Sequence, residues 1–390
     1  MTEPARLEIS LAPGLGDVEP AAWDALVHPD DPFCTHAFLR LLETSGSACA
    51  ETGWQPAHAL VHHEGALVGA APAYVKGHSY GEYIFDWGWA NAAERAKLPY
   101  YPKVLSAVPF TPATGRRLLA HPDADRSLTE PAVWAGLRHL ADAAQASGVH
   151  VLFLTEQEQQ AIAGRDGGSI PRLTHQFHWT NEGYEDWEHW LSGFRSKVRK
   201  ETRRERCAPE KLGVELRVVP GDQLEEADWR ALEGFYRDTI DKKWSHHYLT
   251  EEWFEAARTE LKHLALGILA VDPQGRRVAG ALCFQRGGHL YGRYWGCKPG
   301  YEKLHFEVCY HRPIALCIER GWTRFEAGAQ GMHKLRRGLL PSPTFSLHWL
   351  RHGGLAGAVR DFCEREAAEH RRQMAGMAHH GPFRRGDEGG

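Results

Sequence analysis

The sequence predicts an α/β chain of the α+β kind, built as two tandem copies of one unit. Each copy is a mixed, largely antiparallel sheet flanked by helices. Three observations predict it. The first is an internal repeat. Gly77-His78-Ser79-Tyr80-Gly81-Glu82-Tyr83 reappears as Gly288-His289-Leu290-Tyr291-Gly292-Arg293-Tyr294. Leu7-Glu8-Ile9 through Pro13-Gly14 matches Val214-Glu215-Leu216 through Pro220-Gly221. Trp23-Asp24-Ala25-Leu26 matches Trp229-Arg230-Ala231-Leu232, and Thr174, His178 and Trp179 match Thr344, His348 and Trp349. Four matches in one order are hard to attribute to chance. The second observation is the order of patterns in each half: hairpin strands, then strands separated by a helix. The third is length. At 390 residues the chain suits two domains, each large enough to bury a core.

The second copy reads most clearly. Residues 214–219 are β-branched and form a strand, and 224–237 and 250–261 have helical spacing. Residues 264–271 run apolar to the turn Asp272-Pro273-Gln274-Gly275. Two more strands come next at 278–285 and 289–296, joined at Gly287-Gly288. A helix at 309–320 and strands at 324–327 and 344–350 complete the copy. In the first copy, 59–62, 67–75 and 79–85 form the meander, 133–147 the helix and 149–154 the next strand. An insertion at about 88–127, rich in proline and aromatics, is too stiff for a linker and reads as an ordered functional loop. The expected domains are 1–206, ending in a basic helix, and 207–380, with 381–390 a disordered tail.

Composition narrows the function. A net charge of −4 argues against a protein that coats nucleic acid, and DNA is not an expected partner. No apolar run approaches membrane-spanning length. The N-terminus has neither a basic start nor an apolar h-region, and the eight cysteines form no Cys-x-x-Cys pair. Both features point to a cytoplasmic protein whose thiols are small buried groups. No metal-ligand spacing is present.

Several strings go further. They are Gly81-Glu82-Tyr83-Ile84-Phe85-Asp86-Trp87-Gly88-Trp89-Ala90, Tyr100-Tyr101-Pro102-Lys103, Ala107-Val108-Pro109-Phe110-Thr111-Pro112, Gln176-Phe177-His178-Trp179, Leu304-His305-Phe306-Glu307 and Gly328-Ala329-Gln330-Gly331. Together they resemble the FemAB-like predicted N-acyltransferase family of peptidoglycan biosynthesis and recognition. The resemblance runs from about residue 20 to about 350. It implies two tandem GNAT-like domains and transfer of an acyl group to an amine. It implies no tightly bound cofactor, with acyl-CoA or aminoacyl-tRNA as co-substrate. The partners it implies are a small-molecule or peptide amine acceptor and, in the Fem-like variant, tRNA. The sequence departs from the family in two places. Met332 stands where the family has an acid, and Pro313 lies in a helix that the family keeps regular, where it should kink the chain near Cys309.

Amide formation needs a proton acceptor, a polarised carbonyl and an anchor for the donor's phosphates. Glu326, at a strand exit among apolar neighbours, and Glu307 and His305, at a helix start, are the candidate catalytic residues. Arg293-Tyr294-Trp295-Gly296-Cys297-Lys298 is a reduced phosphate loop, making Arg293, Gly296 and Lys298 the donor-binding candidates. Around the insertion, Glu82, Asp86, Trp87, Tyr101 and Lys103 suit a bulky acceptor. Arg195, Arg199 and Arg203 fall on one helical stripe that suits phosphates. Gln330, His333 and Lys334 complete the substrate-binding set. The bland reading of each is an aromatic mini-core, a strand-end turn or a solvated charged face. A non-catalytic module that binds a peptide or nucleotide-sugar is the competing function, with Met332 in its favour.

Overall fold

The computed structural model describes residues 7–242, 247–329, 331–379 and 381–384. The strands are β1 (Leu7–Ala12), β2 (Trp54–Pro56), β3 (His58–His63), β4 (Ala66–Ala71), β5 (Tyr74–Lys76), β6 (Lys103–Ser106), β7 (Leu119–Ala120), β8 (Gly148–Leu154), β9 (Ile170–Thr180), β10 (Glu215–Pro220), β11 (Ala265–Val271), β12 (Arg277–Arg286), β13 (His289–Cys297), β14 (Arg324–Glu326) and β15 (Leu340–Leu350). They belong to two compact units, one of residues 1–174 with 343–371, the other of 175–342 with 372–390. This partition differs from the expected boundary at 206/207. Residues 175–180 of β9 belong to the second unit and 343–350 of β15 to the first. Each unit therefore takes a strand from the other half of the sequence, which local pattern does not reveal.

In the second unit β10, β11, β12 and β13 form an antiparallel meander. The turn between β11 and β12 is held by Asp272, whose Oδ1 accepts from the amides of Gln274 and Arg276. β13 then pairs parallel with β14, and β14 antiparallel with β9. A parallel step needs a crossover, supplied by the helix Arg312–Arg320, which ends at Gly321 in the left-handed conformation (φ 66°). Pro313 acts where expected: it lacks an N–H for the preceding turn, and residues Glu307–His311 form a π-helix there. Trp179, Trp190, Ile268, Leu290 and Phe325 lie in the core of this unit.

In the first unit β1, β3, β4 and β7 form one antiparallel sheet. A second sheet runs β2, β5, β6, β8 and β15, with β6 and β8 parallel. The expected strand at 67–75 is interrupted at Pro72-Ala73, which separates β4 from β5. The expected strand at 79–85 does not form. Gly81 (φ 82°) and Tyr83 (φ 63°) are left-handed there, which a strand excludes. Its place beside β8 is taken by β6, inside the region expected to be an insertion. Val104, Leu105 and Ser106 face Val149, His150 and Val151, as His289, Leu290 and Tyr291 face Arg324, Phe325 and Glu326. The likeness of 77–83 to 288–294 is therefore not a structural equivalence.

The other repeat matches do correspond. β1 and β10 are both sheet edges, and Trp23 and Trp229 are buried on their helices. On β9, His178 and Trp179 oppose Glu326 and Phe325. On β15, His348 and Trp349 oppose His150 and Val149. The 27-residue helix Gly353–His379 after β15 had no counterpart in the sequence reading. Of the tail expected at 381–390, residues 385–390 lie outside the described residues. Gly381–Arg384 are docked: Phe383 packs edge-on to Phe194, and the Arg195 amide donates to Pro382 O. No helix among the described residues is long and apolar enough to cross a membrane.

Candidate functional site

In the second unit the pairing of β13 with β14 covers three residues and stops at Tyr291–Glu326, while β13 continues to Cys297. Against β12 its register shifts between Leu282 and Cys283, so Arg293 forms a bulge. Bulges re-aim backbone and side chains, and this one lies where the two strands part company. At that point Glu326, 3% exposed, ends β14. The Glu326 expected among apolar neighbours instead has Arg324 at 2.8 Å and His178 at 3.6 Å. Arg324 Nη2 donates to His178 Nδ1 at 2.7 Å, so the His178 proton sits on Nε2, which faces Gln176 Oε1 at 3.3 Å. Burial, with Arg324 and Lys334 nearby, holds His178 well below its usual range and therefore neutral.

Lys334 enters from the turn Met332–Arg337, a 3-10 helix that comes after Gly328 and Gly331, both at positive φ. Its Nζ donates to Gly328 O at 2.5 Å. Burial pushes its ammonium down to about 8, against the pull of Cys309 and Glu326. The Tyr310 hydroxyl and His333 Nε2 are 2.8 Å apart beside it. His305 packs its ring on Tyr310 (5.5 Å) and Trp295 (5.3 Å). The structure thus groups His305 and His333 around Tyr310, and couples Lys334 electrostatically to Glu326. Met332 is 59% exposed, and Gln330 lies outside the described residues.

Glu307 belongs to another group. It sits on the π-helix, 3% exposed, with Oε2 lacking a partner among the described residues. Burial raises it to about 7, partly offset by Arg206 and Arg312. Nearby, Glu205 accepts from His311 Nε2 at 2.7 Å and from Arg337, whose guanidinium lies 3.3 Å over the Phe306 ring.

The expected phosphate loop is arranged differently. A Cβ on Gly296 would lie 2.2 Å from Phe235 O, so the close approach that glycine permits is taken by the helix Glu226–Lys242. The Lys298 amide donates to Val278 O and the Gly300 amide to Glu302 Oε1. The chain then enters a three-residue 3-10 turn, Glu302–Leu304, which runs directly into the helical stretch 305–320. Arg293 lies 5.4 Å from the Tyr294 ring, and Lys298 is exposed.

In the first unit, Glu82, Asp86 and Lys103 do not line an open wall; they are buried together. Lys103 Nζ donates to Glu82 (2.8 Å), Asp86 (2.5 Å) and Ser79 (2.8 Å), at 0% exposure. The Tyr100 hydroxyl donates to Asp86 at 2.6 Å, and the Tyr101 hydroxyl contacts Ser79 Oγ at 2.8 Å. Burial raises Asp86, but Lys103 and His150 more than reverse it and hold the carboxyl well below the usual range. Burial raises Glu82 to about 7. Beneath lie His150 and His348, Nδ1 to Nδ1 at 2.9 Å, with His348 Nε2 at 2.9 Å from Ser346 Oγ. Burial lowers His150 to about 3 and keeps His348 well below its usual range. Trp87 stands outside this cluster, 37% exposed.

The basic helix Ser196–Arg206 is partly committed to structure. Arg195 Nη2 donates to Gly381 O, Arg199 to Ser192 O and Phe194 O, and Arg203 to Glu188. A shallow cleft lined by Arg199, Lys200, Arg203, Arg204 and Lys211 remains on the same surface. The residues that sequence reasoning did not assign to a site are His178, Arg324, Tyr310, His150, His348 and Lys76. The matched His178-Trp179 and His348-Trp349 pairs were the sequence signal for two of them.

A family model described as FemAB-like, peptidoglycan biosynthesis/recognition, matches residues 14–385. Among solved structures, FemX is similar at a TM-score of 0.54 and 12% identity, over 90% of this chain and 100% of that one. The C-terminal domain of a putative lysylphosphatidylglycerol synthetase from Agrobacterium fabrum is similar at 0.53 and 10%, over 87% and 94%. A conserved protein of unknown function from Bacteroides thetaiotaomicron is similar at 0.51 and 11%, over 88% and 100%. A search of curated proteins matches none. At these identities the structural likeness speaks to the fold, which is that of two tandem GNAT-like units.

Proposed function

The chain belongs to the FemAB-like family, and from that premise we propose that it is an acyl- or aminoacyl-transferase forming an amide on an amine acceptor. The reacting centre lies in the second unit, where β13 bulges at Arg293 beside Glu326 and Lys334. The observation that carries this reading is the grouping of Glu326, paired with Arg324 at 2.8 Å, and the buried Lys334 where β13 bulges and parts from β14; burial lowers Lys334 to about 8, close to neutral pH. As a neutral amine it accepts the proton of the incoming ammonium. The freed amine attacks the acyl carbonyl, the C–N bond forms, and the donor's C–O or C–S bond breaks. Lys334 hands its proton to the leaving group and, neutral again, takes the second proton that the attacking nitrogen must lose to become an amide, and releases it to solvent. His178 and Arg324 fix the Glu326 carboxylate beside this relay, and the β13 backbone at the bulge polarises the carbonyl.

Two donors fit this chemistry. An acyl-CoA needs its pyrophosphate cradled, and within 296–302 the close approach at Gly296 and the Lys298, Gly300 and Tyr301 amides are already used. That favours an aminoacyl ester on tRNA, for which the cationic cleft on the basic helix supplies a phosphate contact. Thermal-shift titrations with acetyl-CoA and, separately, with aminoacyl-tRNA divide the two. A stabilisation by neither, at any salt concentration, removes the transferase reading and leaves the non-catalytic module.

A further inference from the structure

The loop between β5 and β6 puts three large rings on the surface within eight residues. Tyr80 is 49% exposed, Phe85 44% and Trp87 37%. They touch one another: Tyr80 stands edge-on to Trp87 at 5.1 Å, and Phe85 lies within 19° of parallel to Trp87 at 6.5 Å. Contiguous exposed aromatics on a monomer surface mark a binding site more often than chance.

What sets this patch apart is how it is held. Three buried basic side chains grip the loop from below. Lys76 Nζ donates to Tyr80 O at 3.2 Å while lying 3.6 Å over the Trp54 ring. Arg172 Nη1 donates to Phe85 O at 3.0 Å and is itself paired with Glu366. Lys103 holds Glu82 and Asp86, on either side of Phe85. Burying that many charges costs stability, and the result is a loop with little freedom left to lose on binding.

We propose that Tyr80, Phe85 and Trp87 form a preorganised platform for the apolar face of a neutral saccharide. Two observations select that ligand. The first is size. Three half-exposed rings offer roughly 250–300 Å², about the footprint of one or two sugar rings and far short of the roughly 800 Å² per partner of a stable protein interface. The second is charge. Beneath the platform Lys103 balances Asp86, and Lys76 and Glu82, both shifted by burial to about 7, balance each other, so no net field favours an anion or a cation. The faintly positive C–H bonds of a pyranose face suit the negative π-faces of the rings.

The test uses the full chain and measures binding without turnover, so its outcome is independent of the transferase reading. Saturation-transfer NMR with chitotriose and maltotriose should show transfer from the protein to ring C–H protons of at least one. Trp87→Ala and Tyr80→Ala should each remove that signal, while Trp87→Phe keeps it. All three changes are at exposed side chains, and unchanged melting curves verify the fold. The proposal is overturned if neither trisaccharide receives transfer in the native protein, or if Trp87→Ala leaves the transfer intact. Trp87-dependent co-sedimentation with phosphatidylcholine vesicles, in the absence of any saccharide transfer, would instead make the patch a lipid contact and also overturn it.

Discussion

At one register of the sheet the second unit sets Glu326 opposite His178, and the first sets His150 opposite His348. The strands that carry these residues correspond, but their neighbours differ: β13 bulges at Arg293 and runs on to Cys297, whereas β6 ends at Ser106. In the second unit the carboxylate is compensated by Arg324, and a lysine near neutrality stands close by. In the first unit both positions are neutral imidazoles. The Trp89 ring lies edge-on to His348 at 4.8 Å, and Lys103, Asp86 and Tyr100 close over them. Both groups are buried, so the two units differ in what they enclose: an ion-paired carboxylate in one, neutral imidazoles in the other. One fold plan thus encloses different chemistry at corresponding positions.

The sharpest test of this contrast is Lys334→Met. Loss of a proton-transfer group should lower transfer by about 10²–10⁴-fold, measured with whichever donor shifts the melting temperature. Stability should move the other way. A lysine held below its unfolded pKa destabilises the fold fully below about pH 8, and the penalty fades as pH rises toward 10.5. Removing it should therefore raise stability by about 1–2 kcal/mol at pH 7 in urea titrations. Loss of both activity and stability would make Lys334 structural.

Lys103→Met is the counterpart in the first unit. It strands Glu82 and Asp86 in the interior and should cost about 3–5 kcal/mol of unfolding free energy. A cost below about 1 kcal/mol would mean that the cluster is solvated, and the description of a closed site would be wrong.

The histidine pair makes the first unit acid-sensitive. A folded pKa below the unfolded one means that the unfolded chain binds more protons, so stability is complete above about pH 6.5 and declines as pH falls toward 3. At pH 5 the loss from His150 should be about 2 kcal/mol, with His348 shifted in the same direction. In urea titrations at pH 7 and pH 5, His348→Gln should shrink that difference, and an unchanged difference would remove the histidines as its cause.

Two smaller effects address the expected binding residues. Gly296→Ala should destabilise by about 1–3 kcal/mol, because the new methyl meets the Phe235 backbone; a stable variant with weakened donor binding would restore the phosphate loop. Arg203→Ala breaks a pair whose side chains are 54% and 61% exposed, and should change the melting temperature by less than about 1 °C.

Sequence alone determined the paired architecture, the strands of the second copy and the disturbance before Pro313, because periodicity, turn chemistry and proline act within a few residues. It also picked Glu326, Lys334 and Lys103 as groups worth notice. Tertiary structure decided the rest. Residues 79–85 carry a repeat signature, yet Gly81 and Tyr83 adopt left-handed backbone and buried basic side chains hold the segment as a loop, while β6 takes the sheet position. Gly296 looks like a phosphate glycine until the helix from 226 to 242 is seen against it. Whether a lysine is a solvated charge or a near-neutral amine depends on burial and on charges brought from far along the chain, and those are properties of the packed molecule, not of the string.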